Sequence, residues 1–318
     1  MNLAGEKIVV IGGAGLVGSH VVDQLVDEPV GEIVVFDNLV RGTRRNLASA
    51  LRSPKVTLVE GSITDTDALA RVLSGAGGVF LLSALWLGEC VAEPRSAIDV
   101  NILGTFNVLE ASHRAGVRRV VFSSSTSVYG TSRELPTRES TPPDPISPYG
   151  VAKLAAERYC VSFSRVYHSF ETVVLRYFNV YGPRQSPFSQ YAAVVPLFVT
   201  AIDRGEPVTI YGDGEQSRDF TYVDNVVDAT IRGAEAEGAS GRIFNVAAGA
   251  PATVNHVADT IGAILGKPVE RRFEPPRAGD IRDSWADISA ARGTLGYEPR
   301  VDLTAGLELT VEAIVARV

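Results

Sequence analysis

Tyr149 and Lys153 stand four residues apart in Ser147-Pro148-Tyr149-Gly150-Val151-Ala152-Lys153. Ser147 is a good N-cap residue and Pro148 suits the first helical position, so the segment predicts a helix with Tyr149 and Lys153 on one face. A phenol with its reference pKa of about 10 is a poor base at neutral pH. Each unit of depression takes about 1.4 kcal/mol of preferential stabilisation of the anion. A neighbouring ammonium such as Lys153, or a cationic ring, can supply it. Ser125 closes the run Ser123-Ser124-Ser125 after apolar Val120-Val121-Phe122. A serine at a strand end can hold a substrate hydroxyl while a phenolate takes its proton. By itself a Tyr-x-x-x-Lys spacing is an ordinary surface pair; its meaning comes from what precedes it in the chain.

What precedes it is a glycine loop. Lys7-Ile8-Val9-Val10-Ile11 runs into Gly12-Gly13-Ala14-Gly15-Leu16-Val17-Gly18-Ser19 and then into a helical pattern. Small residues between a strand and a helix let backbone approach a pyrophosphate, and the helix N-terminus offers N–H donors. Gly13, Gly15 and Gly18 fit one dinucleotide template, Gly12, Gly15 and Gly18 a wider one, and the sequence leaves both open. Asp37 follows Gly18 by nineteen residues, the interval at which a carboxylate meets the adenosine ribose hydroxyls. A carboxylate there repels a ribose phosphate, so NAD is expected rather than NADP. Arg41, Arg44 and Arg45 form a nearby basic loop that could soften the preference.

These residues need a scaffold. Lys7–Ile11, Glu32–Asp37, Val56–Glu60, Val79–Ser83, Arg119–Ser123 and Thr172–Tyr177 read as buried strands alternating with amphipathic stretches. That alternation predicts an α/β fold, a Rossmann-type doubly wound parallel sheet. Past Asn179 the texture turns to Gly and Pro turns and shorter elements. A dinucleotide-binding domain is therefore expected over 1–178, and a smaller α/β substrate-binding domain over 179–318, parts of which return to the first. The chain has 318 residues with a formal charge of −7, which lacks the basic footprint of a nucleic-acid binder. Its two cysteines, Cys90 and Cys160, read as buried thiols of a reducing compartment and form no metal or disulfide pattern. No secretory or membrane-spanning segment is legible, and a cytoplasmic protein is expected.

Taken together these motifs resemble the extended short-chain dehydrogenase/reductases, and within them the UDP-hexose and UDP-N-acetylhexosamine 4-epimerases. The likeness runs over essentially the whole chain. It includes the glycine loop, Asp37-Asn38, Asn101 in Asn-Ile-Leu-Gly-Thr-Phe-Asn, the three serines before Val128-Tyr129-Gly130, Tyr149 with Lys153, Arg176 through Pro183, Gly212-Asp213-Gly214, Arg218-Asp219-Phe220 and Arg277-Ala278-Gly279-Asp280. The resemblance implies catalysis by Ser125, Tyr149 and Lys153. It implies NAD binding by Gly12, Gly15, Leu16, Val17, Gly18, Asp37, Asn38, Ser62, Ile63, Asn101, Tyr149 and Lys153. Ser124, Ser125, Asn179, Tyr211, Arg218, Arg277, Asp280 and Ser284 would bind a UDP-sugar, the arginines gripping its diphosphate. There are departures: Ile11 stands where Thr is usual, Ser62 where an Asp often meets the adenine, and Leu82-Ser83-Ala84 where His-x-Ala-Ala is common.

By resemblance the reaction is C4 epimerisation through a 4-keto sugar. Related 4,6-dehydratases carry an Asp-Glu pair after the catalytic hydroxyl residue, and UDP-glucuronate decarboxylases a Glu; this chain has Thr126-Ser127. Neutral hydroxyls cannot supply that acid–base pair, so both rank below epimerisation. UDP-glucuronate as epimerase substrate and a non-catalytic dinucleotide sensor on the same fold stay open. Ser284 aligns with a position where a bulky Tyr crowds the sugar 2-substituent, which implies room for UDP-GlcNAc and UDP-GalNAc beside UDP-Glc and UDP-Gal. The resemblance also implies a homodimer built on the helices around Asn101–Arg114 and Tyr149–Tyr167. The apolar Val108, Leu109, Leu154, Phe163 and Val166 on these helices serve equally well as monomer core.

Overall fold

The computed structural model describes residues 1–131, 134–185, 193–276 and 281–316. Seven strands, β1 (Lys7–Ile11), β2 (Glu32–Asp37), β3 (Val56–Glu60), β4 (Gly78–Leu81), β5 (Arg119–Ser125), β6 (Glu171–Tyr177) and β7 (Arg242–Val246), form one sheet in the order β7-β6-β5-β4-β1-β2-β3. Every pairing in it is parallel. The β-branched runs explain it: Ile8, Val10, Ile33 and Val35 enter one core layer, Val9, Ile11, Val34 and Phe36 the other, as alternation across a doubly covered sheet requires. Helices α1 (Leu16–Asp27), α2 (Thr66–Leu73), α3 (Leu87–Ala92), α4 (Thr105–Arg114) and α5 (Pro148–Val166) carry the chain between strands. A π-helical segment, Ala97–Gly104, leads into α4.

Strands β1, β2 and β3 match the sequence reading. Strand β4 stops at Leu81, short of the expected Ser83, because the chain turns against the glycine loop there: a Cβ on Gly12 would lie 2.6 Å from the Ser83 nitrogen. Strand β5 runs on to Ser125, paired with Tyr177.

The seventh strand was not anticipated. It comes from beyond residue 178 and adds to the edge of β6. The helix that precedes it, Val223–Glu235, packs on α1 and on β5 and β6. Smaller strands complete the later part of the chain. Val208–Tyr211 pairs with Arg271–Glu274, and Ser217–Arg218 lies between Ala252–Thr253 and Asp283–Ser284. Among the described residues no helix is long and apolar enough to cross a membrane. Cys90 and Cys160 are both buried thiols.

Candidate active site

All seven strands point the same way, so the loops after β1, β2, β4 and β5 gather at one edge of the sheet. The glycine loop forms its floor. Gly12 has a φ of +79°, a backbone conformation that L side chains rarely adopt. Gly18 is needed for close packing, since a Cβ on it would lie 2.2 Å from the Gly12 carbonyl oxygen. Gly18 is common to both templates; the positive φ of Gly12 favours the wider one of Gly12, Gly15 and Gly18. Gly15 differs: a Cβ there meets only the Gly12 oxygen, at 3.3 Å. A Cβ at Gly15 would ask only a small shift of that one oxygen. Gly15 also caps α1 without a side-chain hydrogen bond, and Leu16 and Val17 form the helix's half-buried first turn. The first N–H groups of α1 thus face the loop without a side-chain partner.

Asp37 closes the loop from the side. Its carboxylate accepts from the Ala14 N–H at 2.9 Å and the Leu39 N–H at 2.8 Å, so it also shapes the cradle. Asn38 is exposed beside it and its side chain accepts from Val40 N–H. Ser62 shares a 2.8 Å hydrogen bond with Thr64, and Ile63 is buried with its carbonyl held by Asn107. Of the basic loop, Arg44 and Arg45 are exposed. Arg41 turns inward, its guanidinium 3.1 Å from the centre of the Trp86 indole and its Nη1 2.6 Å from Glu89 Oε2.

At the carboxyl end of β5, Ser125 donates to the Ser127 hydroxyl and accepts from the Ser127 N–H, each at 3.1 Å. Helix α5 opens as expected, with Ser147 Oγ accepting from Gly150 N–H and Pro148 in the first turn. Lys153 is buried and donates to the Ser123 carbonyl at 2.7 Å, with its ammonium 6.0 Å from the centre of the Tyr149 ring. The structure therefore brings Ser125, Tyr149 and Lys153 to one strand end. Burial pushes Tyr149 up to about 12, and burial pulls Lys153 down to about 8. The lysine ammonium is held on β5 by the Ser123 carbonyl.

Two of the residues expected at ligands also make bonds within the protein. Ser124, expected at the substrate, is buried and donates to Glu157 Oε1 at 2.5 Å. Glu157 in turn holds Arg176 through bonds of 2.8 and 2.7 Å, both side chains being inaccessible. This pair was not singled out from the sequence, although Glu157 lies one turn past Lys153 and Arg176 pairs with Ser124 across β5 and β6. It pins α5 to the strand ends. Asn101, expected at the cofactor, uses both ends of its amide on Leu85, accepting from the N–H at 2.8 Å and donating to the carbonyl at 3.1 Å. It acts on the loop after β4.

The substrate-side residues lie farther along the chain. Tyr211 is partly exposed in a cavity of about 670 Å³ lined also by Gln216, Phe273, Glu274, Pro276 and Arg282. Arg218 donates to the carbonyls of Ser217 and Arg282 and lies opposite Ser284 in register. Ser284 is half-buried and its carbonyl accepts from Asp219 N–H. Asp219 is buried and accepts from the N–H groups of Ala248, Gly249 and Ala286; burial nevertheless raises it to about 6. Asn179 is exposed at the end of β6. Arg277 and Asp280 lie outside the described residues.

A parallel doubly wound sheet, a glycine cradle after β1 and a Ser-Tyr-Lys set at the end of β5 define a short-chain dehydrogenase/reductase of the extended type. The chain belongs to the NAD dependent epimerase/dehydratase family, whose model matches residues 8–247. It is 38% identical over 309 residues to a UDP-glucose 4-epimerase of Mycolicibacterium smegmatis, covering 96% of this chain and 97% of that one. Among solved structures, a UDP-glucose 4-epimerase of Thermotoga maritima with UDP-glucose superposes with a TM-score of 0.91 at 41% identity, over 98% of this chain and 99% of that one. A UDP-N-acetylglucosamine 4-epimerase of Methanobrevibacter ruminantium in complex with UDP-N-acetylmuramic acid gives 0.93 at 37%, over 99% and 100%. NAD is the family's cofactor, and the glycine turn leading into the N-terminus of α1, with the Asp37 carboxylate beside it, fits a dinucleotide.

Proposed function

We propose that this protein interconverts UDP-sugars that differ in configuration at C4, accepting UDP-GlcNAc and UDP-GalNAc as well as UDP-Glc and UDP-Gal. The observation that carries the reading is the bond from Lys153 on α5 to the Ser123 carbonyl, which brings that helix, with Tyr149 in its first turn, to the end of β5 that carries Ser125, beside the glycine cradle. The residues that would hold NAD are Gly12, Gly15, Leu16, Val17 and Gly18 at the diphosphate and Asp37 with Asn38 at the adenosine ribose. Ser62 and Ile63 would lie beside the adenine, and Tyr149 and Lys153 at the nicotinamide end. When bound, NAD would supply reversible hydride acceptance at the sugar carbon, so that no net oxidation would accrue.

The remaining work belongs to the chain's own residues. Tyr149 takes the proton of the 4-hydroxyl and restores it after the sugar has turned, and Ser125 holds that hydroxyl in line. Lys153, fixed on the Ser123 carbonyl, supplies a positive charge at the same strand end. Arg218, with Asn179 and Arg277, anchors the diphosphate while the sugar is free to rotate about it, and Tyr211 lies at the base in its cavity. Ser127, bonded to Ser125, is a neutral hydroxyl where dehydration or decarboxylation needs a carboxylate. Ser284, beside Arg218, leaves space for a 2-acetamido group.

Val108, Leu109 and Phe163 are spent in the core, but Ile98, Leu103, Val151, Tyr159 and Val166 are exposed on the same helices, which supports pairing of two copies there. The test is incubation of the purified protein, without added cofactor, with UDP-GlcNAc, UDP-Glc and UDP-glucuronate in turn, followed by proton NMR and mass spectrometry. A C4 epimer of unchanged mass is expected from the first two. Loss of water or carbon dioxide would overturn the reading of Thr126-Ser127. An unchanged sugar, even with NAD supplied, would favour the sensing role.

A further inference from the structure

Arg41 follows β2, and Trp86 and Glu89 follow β4, yet the three meet: the Arg41 guanidinium carbon lies over the Trp86 ring, 3.1 Å from its centre, and Arg41 is paired with Glu89 at 2.6 Å. In the sheet, β1 lies between β2 and β4. A contact between the loops after β2 and β4 therefore crosses the carboxyl end of β1, above the glycine cradle. We propose that Arg41, Trp86 and Glu89 form a clasp over the dinucleotide cleft that retains NAD between turnovers. The proposal rests on the preceding reading of the cradle as the site of the cofactor diphosphate.

Both halves of the clasp are fixed. On the β2 side, Gly42 packs so closely on Ala14 that a Cβ would lie 2.6 Å from its carbonyl carbon. The Ala14 carbonyl also accepts from Thr43 N–H at 3.2 Å and from Asn46 Nδ2 at 2.9 Å. On the β4 side, Glu89 accepts from Trp86 N–H at 2.9 Å, and Asn101 grips Leu85 by both backbone atoms. Burial pulls Arg41 below its ordinary value, whereas the Glu89 carboxylate acts to raise it.

A guanidinium over an indole and paired with a carboxylate, the two charged side chains 24% and 34% exposed, holds more strongly than a fully exposed pair. Such a device has a purpose here. Ser62 shares a hydroxyl–hydroxyl bond with Thr64 and brings no carboxylate to the adenine end, so a second hold on the dinucleotide has a use here. An enzyme that regenerates its cofactor in every cycle gains from never releasing it.

The experiment measures release. Protein loaded with NAD and freed of excess nucleotide is mixed with alcohol dehydrogenase and ethanol, and NADH appearing as NAD escapes is followed by absorbance. Arg41→Gln and Trp86→Leu are each expected to release NAD about tenfold faster than wild type, equivalent to about 1.4 kcal/mol. The double variant should be little faster than the faster single, because one contact is lost in all three. Arg41→Lys keeps the charge but not the guanidinium over the ring and should fall between; as a change in a surface loop it does not depend on Trp86→Leu folding. Release within twofold of wild type in both Arg41→Gln and Arg41→Lys overturns the clasp. A wild-type protein that binds no NAD would instead defeat the reading of the cradle.

Discussion

Lys153 lies 2.7 Å from the Ser123 carbonyl and 6.0 Å from the centre of the Tyr149 ring. The lysine thus answers first to β5, and the phenol is left to burial, at about 12. Tyrosinate absorbance, taken as wild type minus Tyr149→Phe, should appear near pH 12 in NAD-free protein. It should move down by a unit or more when NAD adds its cationic ring. An identical titration with and without NAD would show that the phenol is activated otherwise.

The depressed lysine makes a stability prediction. A group lowered from 10.5 to about 8 on folding contributes stability that is present above 10.5 and is lost as pH falls through 8. Urea melts of the wild type should therefore gain on those of Lys153→Met between pH 8 and 10. Parallel pH profiles for the two proteins would mean that the ammonium is not desolvated.

Gly15 and Gly18 should separate binding from folding. Gly15→Ala meets only one oxygen at 3.3 Å in the protein and should melt within a few degrees of wild type while losing most NAD affinity. Gly18→Ala drives a methyl to 2.2 Å from the Gly12 oxygen and should lower the melting temperature outright. Equal NAD affinity in Gly15→Ala and wild type would remove the cradle from the binding site.

The Glu157–Arg176 pair is inaccessible on both sides, so removing one charge strands the other. Glu157→Gln is expected to cost about 3–5 kcal/mol in denaturant unfolding, as buried pairs do when half removed. It also frees the Ser124 hydroxyl and loosens α5 from β5, so kcat should fall even where the protein stays folded.

Ser284 makes a prediction about selectivity. Ser284→Tyr should lower kcat/KM for UDP-GlcNAc at least tenfold relative to UDP-Glc, measured in the same preparation. Unchanged acetylhexosamine turnover would make Ser284 a bystander beside Arg218.

Much of the site was legible because a parallel sheet delivers all its strand ends to one edge. Once β1, β2 and β5 were recognised from their β-branched runs, Gly12 to Gly18, Asp37 and Ser125 had to converge, and the helix starting at Ser147 had to bring Tyr149. What escaped depends on contacts across distant segments. Glu157 on a helix reads as a surface charge until β6 presents Arg176 to it. Arg41 reads as one of three loop arginines until Trp86 lies beneath it. Strand β7 was missed because Arg242-Ile243-Phe244-Asn245-Val246 mixes polar with apolar residues in a turn-rich stretch. Its Asn245 side chain is claimed by Tyr129, Thr137 and Asp287, none of them near in sequence.

That late strand makes the two halves of the chain inseparable as parts. A fragment ending at residue 178 would carry β6 as a bare edge, with apolar Val173, Val174 and Leu175 stripped of their neighbour and open to pairing with other chains. Exchange of the nucleotide-binding half between relatives would therefore have to carry β7 along with it. The sheet itself records where a graft could be cut.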